Sequence, residues 1–170
     1  GYFRTNTSYS DNYDATSFYQ LGASEHEKYD AISQELRLLT NYDSAMNFMF
    51  GAYYQHTKLD FINSSKILAL GVDPATGKYE TWDKPGSTKG NTYSAFGQII
   101  LDITSQLELA AGVRYTREKK NSTLANSYVH PPFSGVLFAA PSRIFRDRFR
   151  DSNYSPEATL TWRPSADVTT

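Results

Sequence analysis

Polar and apolar residues alternate with a period of two in five segments of this 170-residue chain. In residues 32–40, Leu36 and Leu38 fall on one parity, whereas Glu35 and Arg37 fall on the other. Residues two apart share one face of a β-strand but lie about 200° apart around a helix. The alternation therefore predicts an all-β chain and constrains the fold more than any other feature.

The chain is predicted to have six strands, each long enough to cross a bilayer. They cover about residues 1–14, 31–41, 46–58, 92–104, 106–119 and 152–164. A strand in a globular protein usually has about 5–6 residues, whereas a tilted transmembrane strand needs about 9–11. The predicted strands reach the transmembrane length.

The connections between these strands alternate between long and short. Long loops are predicted at residues 15–30, 59–91 and 120–151, and short turns rich in Asn, Asp, Ser or Pro at 41–45, 104–106 and 164–167. All short turns then lie at one end of the sheet, as in outer-membrane barrels, which have short periplasmic turns and long extracellular loops. The predicted fold is an antiparallel up-and-down transmembrane β-barrel segment.

In such a barrel the apolar parity faces lipid and the polar parity faces the interior. Tyr54, Tyr115 and Trp162 end apolar rows, which is typical of interfacial aromatic girdles. The charged residues predicted to face the lumen are Glu35, Arg37, Glu108, Glu157 and Arg163. The two-residue period of apolar side chains, taken alone, also fits two other folds. One is a complete small outer-membrane barrel acting as an adhesin or structural protein, and the other is a soluble lipocalin-like ligand-binding barrel.

Composition excludes several classes of function. The chain has 17 Lys and Arg against 18 Asp and Glu and a mean hydropathy of −0.54, so it predicts neither a nucleic-acid partner nor a helical membrane span. It has no cysteine, which excludes disulfides, thiolate zinc sites and cysteine nucleophiles. Because its three histidines are scattered, we expect no metal site, no cofactor and no enzymatic activity.

Several segments, in order, resemble the barrel of TonB-dependent outer-membrane receptors: Ser33–Leu38, Phe48–Gln55, Ala95–Gln98, Leu107–Lys119 and Tyr154–Pro164. The resemblance implies a middle portion, with about six or seven strands, of a 22-stranded barrel in the bacterial outer membrane. It also implies a plug domain and further strands in the parent chain, and an inner-membrane TonB energy-transducing complex. Receptors of this family import ferric siderophores, cobalamin, haem or certain glycans.

A receptor of this kind would capture cargo with its external loops and upper interior wall. Aromatic side chains supply rigid contact area and Arg supplies paired donors for carboxylate or catecholate oxygens. The candidates are Tyr79, Trp82, Tyr128, Phe133, Arg143 and Arg146 in loops, and Tyr53, Arg114 and Arg117 on strands. The alternative role for each is loop packing or surface solvation. Lipopolysaccharide phosphates are a second possible partner, for the cluster of Arg143, Arg146, Arg148 and Arg150.

Overall fold

A computed structural model of the chain describes residues 1–139, 141 and 143–165. Its seven strands form one antiparallel sheet and are β1 (Tyr2–Asn12), β2 (Leu21–Leu39), β3 (Met46–Ile67), β4 (Glu80–Thr104), β5 (Leu107–Ala125), β6 (Tyr128–Val129) and β7 (Ile144–Trp162). The strand order is β1-β2-β3-β4-β5-β7, and the short β6 pairs with β4. Two 3₁₀ turns, Leu68–Leu70 and Pro131–Phe133, lie in the connections. The predicted all-β up-and-down topology is confirmed.

The sheet is open across the part of the chain that the structure describes. There β1 pairs with β2 alone and β7 pairs with β5 alone. Both alternative barrels, the complete small outer-membrane barrel and the lipocalin-like barrel, require the first and last strands to meet. That contact is not made between the described β1 and β7. Among the described residues, none forms a helix long and apolar enough to span a membrane.

Five of the strands are longer than predicted, with 19 to 25 residues. The predicted loops at 15–30, 59–91 and 120–151 were too wide, because strand pairing continues through much of each. Residues 13–20 join β1 to β2, residues 68–79 join β3 to β4, and residues 126–143, which include β6, join β5 to β7. Hydrophobic alternation ends where both faces of a strand become polar, whereas the backbone hydrogen-bond ladder needs no apolar face. Of the predicted turn at 164–167, Ala166 and Asp167 lie outside the described residues.

Strand register places the alternating residues on two continuous faces. Leu36 pairs with Ala52, Ala52 with Ala95, and Ala95 with Tyr115, so one apolar face runs from β2 to β5. Leu36 is 68% exposed. The buried hydrophobic residues of the described chain are only Ala110, Tyr128 and Val129. Within the described residues, no packed core covers this apolar face, in contrast to the enclosed core that a soluble barrel would have.

The end of the sheet that carries the long connections is here called the upper end. A row of tyrosines near the middle of the strands bounds the apolar residues on the side toward that end, and the strands continue beyond the row. The rings of Tyr54 and Tyr93 lie 5.2 Å apart, and those of Tyr115 and Tyr154 lie 4.9 Å apart. The Tyr54 hydroxyl donates to Oδ1 of Asn91, which is two residues nearer the upper end than Tyr93. An aromatic row at the edge of an apolar band, with a hydroxyl directed away from that band, is typical of a membrane interface.

Candidate functional site

The second face of the sheet, here called the polar face, carries the five predicted lumen residues. Glu35 and Arg37 lie two apart on β2 and form an ion pair with each other. Arg163, just after β7, donates from both terminal nitrogens to Oε2 of Glu108 on β5 at 3.2 Å. Glu157 is opposite Gly112 in the same register. Charges on this face are thus partly neutralised within and between strands.

A cluster of cations and rings lies at mid-height on the polar face; we call it the middle cluster. The Arg114 guanidinium lies 5.4 Å from the Tyr53 ring centroid and 5.3 Å from that of Phe96. Arg37 approaches the same Phe96 ring at 5.8 Å. Each contact falls in the range of a cation–π interaction. The sequence predicted Tyr53 and Arg114 as site residues but missed Phe96. The one indication for Phe96 was that it is an aromatic residue at a position of polar parity.

Register explains why these side chains meet. Phe96 is directly opposite Arg114 on one side and Gly51 on the other. Gly51 has no side chain, so the Phe96 ring lies across it; a Cβ on Gly51 would come 2.1 Å from the ring carbon Cζ. The open backbone at Gly51 lets the ring stay beneath the two guanidinium groups.

A second group, the upper cluster, lies nearer the upper end and joins β4 to the connection after β6. The Trp82 and Phe138 rings lie 4.7 Å apart, and Phe133 meets Phe138 edge-on at 6.0 Å. The Lys84 ammonium lies 4.8 Å from both the Trp82 and the Phe138 ring centroids. Trp82 and Phe133 were predicted; Lys84 and Phe138 were missed, although Lys84 lies two residues from Trp82 and so shares its face.

Tyr128 is the candidate whose position differs most from its predicted loop role. It is 8% exposed, lies in β6, and donates its hydroxyl to Asp73 Oδ2 at 3.0 Å. The Lys78 ammonium lies 4.8 Å from the Tyr128 ring and 2.7 Å from Asp83 Oδ2. These bonds make Tyr128 a packing residue of the 73–78 turn, because a ligand would have to displace them to reach it.

The 73–78 turn is held by the Asp73 carboxylate. It accepts hydrogen bonds from the Thr76 hydroxyl at 2.7 Å and from the Ala75 amide at 3.0 Å. The Thr76 hydroxyl, and then the Ala75 amide, lower the pKa of Asp73 below its usual value. Gly77 has a φ of 72°, which glycine adopts without a Cβ clash.

Two predicted arginines lie on the other face of the sheet. Arg117 pairs with Tyr93, and Arg146 pairs with Thr123, both on the parity of the apolar face. The prediction that Arg117 lies on the interior wall with Arg114 is therefore wrong, because an odd sequence separation from Arg114 puts Arg117 on the opposite face of the sheet. Arg146, which was predicted in a loop, lies on that same opposite face of β7. Trp82 and Arg146 also lie within strands instead of loops.

The two remaining candidates lie in connections. Tyr79 directly precedes β4 and is 48% exposed, and Arg143 directly precedes β7 and is exposed. Among the residues that the structure describes, neither contributes a ring or cation contact to the two clusters. No group of three or more His, Asp or Glu side chains within that part of the chain has a geometry that could hold a metal ion.

Comparison with known proteins identifies relatives of this sheet. The family model for the TonB dependent receptor-like beta-barrel matches residues 1–170. The ferric yersiniabactin uptake receptor FyuA from Yersinia pestis is similar to 87% of the chain, with a TM-score of 0.66 and 17% identity. The ferric citrate transporter FecA is similar to 97% of it, with a TM-score of 0.55 and 11% identity.

The chain spans about a fifth of either structure, 21% of FyuA and 22% of FecA. At these identities the likeness concerns the fold alone. No curated protein matches the chain.

Proposed function

The chain belongs to the TonB-dependent receptor β-barrel family, and on that premise we propose that it forms part of an outer-membrane receptor that imports a scarce ligand such as a ferric siderophore. The chain supplies a segment of the barrel wall in the bacterial outer membrane. The parent protein completes the barrel, encloses a plug domain, and draws energy from a TonB complex. The chain itself has no catalytic role.

The different chemistry of the two sheet faces supports this placement. The apolar face exposes large side chains such as Leu38, at 69%, and Leu160, at 60%, and the tyrosine row bounds it. The opposite face carries the ion pairs and both clusters. A wall between hydrocarbon and a wet interior needs this division, because a charge on the lipid side at mid-depth costs about 2–4 kcal/mol.

The position of the two clusters is the observation on which the ligand proposal depends. Both combine cations with aromatic rings on the polar face, the upper cluster near the external end and the middle cluster deeper. Such surfaces favour an anionic ligand with flat or unsaturated groups, because the rings supply contact area and the cations supply charge complementarity. We propose that cargo contacts Trp82 and Lys84 first and Tyr53 and Arg114 afterwards.

Uptake by intact cells tests the proposed function. We expect cells expressing the full-length protein to accumulate radioactive iron from a ferric siderophore of catecholate, hydroxamate or carboxylate type. Accumulation should disappear on deletion of the gene or of the TonB complex. Uptake of haem, cobalamin or a glycan, without uptake of any iron–siderophore complex, would support a receptor function but refute the proposed siderophore cargo. Growth and uptake independent of the gene for all these cargoes would refute import.

A matched pair of variants tests the ligand surface. Lys84→Gln removes the cation of the upper cluster, and we expect it to raise the ligand concentration for half-maximal uptake about tenfold, as expected for a lost charge-assisted contact. Lys58→Gln is the control, because Lys58 lies on the opposite face and pairs with Asp60. Equal effects of both variants, or no effect of either, would contradict the assignment of the upper cluster.

A further inference from the structure

Six cations occupy the apolar-face parity of β4, β5 and β7 next to the tyrosine row; we call this group the basic patch. Arg117 is directly opposite Tyr93, and the next positions on this face pair Lys119 with Arg150. One further step toward the upper end, Lys89, Asn121 and Arg148 form a row. The complete patch is Lys89, Arg117, Lys119, Arg146, Arg148 and Arg150.

Neighbouring acids leave most of the patch unneutralised: Lys89 interacts electrostatically with Asp60 on β3, whereas the five cations of β5 and β7 have no such partner among the described residues. Asp147 and Asp151 alternate with these arginines on β7, but register places them opposite Ser122 and Glu118, on the polar parity. Within the described residues, none of the six cations forms an ion pair. On the same face of β1 to β3, in contrast, Arg4 pairs with Asp30 and Lys58 with Asp60.

The sheet places like charges directly against each other in this patch. Lys119 and Arg150 are cross-strand partners, and like charges in that position destabilise a sheet. Neighbouring strands lie about 4.8 Å apart, so one multivalent anion can contact both side chains. An anion bound between them would convert the repulsion into attraction.

Height relative to the membrane indicates the source of the anion. The Lys119–Arg150 pair lies two residues beyond the Arg117–Ser152 pair, about 7 Å along the strand at the usual rise. The tyrosine row marks the interface, so the patch lies at the level of the lipid headgroups and faces outward. Arg side chains present paired donors that match phosphate oxygens.

We propose that the basic patch binds the phosphate groups of anionic glycolipid headgroups, such as those of lipopolysaccharide, in the outer leaflet. This site is on the lipid side of the wall and is separate from the cargo surface. The proposal rests on the outer-membrane location given above, but not on any cargo.

Purified full-length protein in vesicles provides the test. Thermal unfolding is measured in neutral phosphatidylcholine vesicles with and without added lipopolysaccharide, and the affinity is taken from the concentration dependence of the midpoint shift. Lys119→Gln/Arg150→Gln should weaken lipopolysaccharide binding about 25-fold, because each cation near an anionic surface contributes about a fivefold factor. The matched control, Arg4→Gln/Lys28→Gln, removes two charges from the same face of β1 and β2, strands that do not adjoin the patch, and should change affinity less than about twofold.

Two further arms identify the chemistry. Charge-conserving Lys119→Arg/Arg150→Lys should retain binding, which shows that a loss in the Gln variant reflects charge and not misfolding. Lipopolysaccharide stripped of its phosphates should not shift the midpoint, and free inorganic phosphate should compete only weakly. Equal losses in both Gln variants, undiminished binding of the stripped lipid, or free phosphate as effective as the lipid would each overturn the proposal. None of these readouts depends on iron uptake.

Discussion

Phe96 lies across the bare backbone of Gly51, its partner on the neighbouring strand β3. A Cβ at Gly51 would come 2.1 Å from Cζ of the Phe96 ring and 2.8 Å from the carbonyl oxygen of Leu36. The ring in turn lies near the guanidinium groups of Arg37 and Arg114. One glycine therefore shapes the middle cluster.

Gly51→Ala should displace the Phe96 ring and lower the free energy of unfolding by about 1–3 kcal/mol, because the added methyl overpacks a filled space. Denaturant unfolding of the full-length protein in vesicles measures this change. Gly97→Ala is the control: its nearest contact, Phe50 Cδ1 at 3.3 Å, belongs to a ring on the exposed apolar face that can move aside. Equal stability of the Gly51→Ala protein and the parent would show that the ring does not need this space.

Ile99→Arg should block barrel assembly, whereas Gln98→Arg, one residue earlier, should allow it. Ile99 lies on the apolar face between Phe48 and Ala111, and Gln98 lies on the polar face. An Arg at mid-depth in lipid costs about 2–4 kcal/mol, whereas one in the wet interior costs little. Outer-membrane assembly is followed by the heat-dependent electrophoretic shift of folded barrels. Similar assembly of the two variants would contradict the assignment of the faces.

Arg114 and Phe96 should be energetically coupled by about 0.5–1 kcal/mol, the range of a cation–π contact at a partly exposed site. A double-mutant cycle of Arg114→Gln and Phe96→Leu, measured by denaturant unfolding, gives the coupling energy. A second cycle of Arg114→Gln with Phe61→Leu is the control, because Phe61 lies over Gly86, ten residues farther along β4. That pair should be additive within about 0.5 kcal/mol, and a coupling of the same size in both cycles would rule out a specific contact.

The 73–78 turn should loosen in acid. The pKa of Asp73 is lowered in the folded protein, so its contribution to stability is full above the usual value near 3.8 and disappears as the pH falls through the lower folded value. Hydrogen exchange of the peptide covering residues 72–83, corrected for the intrinsic rate, should therefore be constant at neutral pH and accelerate in strong acid. Asp73→Asn should remove this acid dependence, and an unchanged profile in that variant would assign the effect to other groups.

The sequence alone determined the strand class, the up-and-down order and the face of residues such as Leu36 and Glu35. In a single sheet between two solvents, odd and even positions of each strand face different environments. The alternation of polar and apolar residues therefore shows directly which face each residue occupies. Tyr53 and Arg114 could be proposed as site residues for the same reason: each has an aromatic or basic side chain on the polar parity. Trp82 could be proposed on a different ground, as an aromatic residue in a predicted loop.

Tertiary structure alone decided strand length, cross-strand partners and the membership of each cluster. The strands continue through residues 21–30 and 80–91 because backbone pairing persists where both faces are polar and periodicity carries no signal. Lys84 and Phe138 meet through folding of the connection after β6, and Arg117 and Arg146 share the basic patch through β4–β5–β7 register. These contacts join residues far apart along the chain. Their distances depend on the register between strands, and the sequence of one strand by itself does not determine that register.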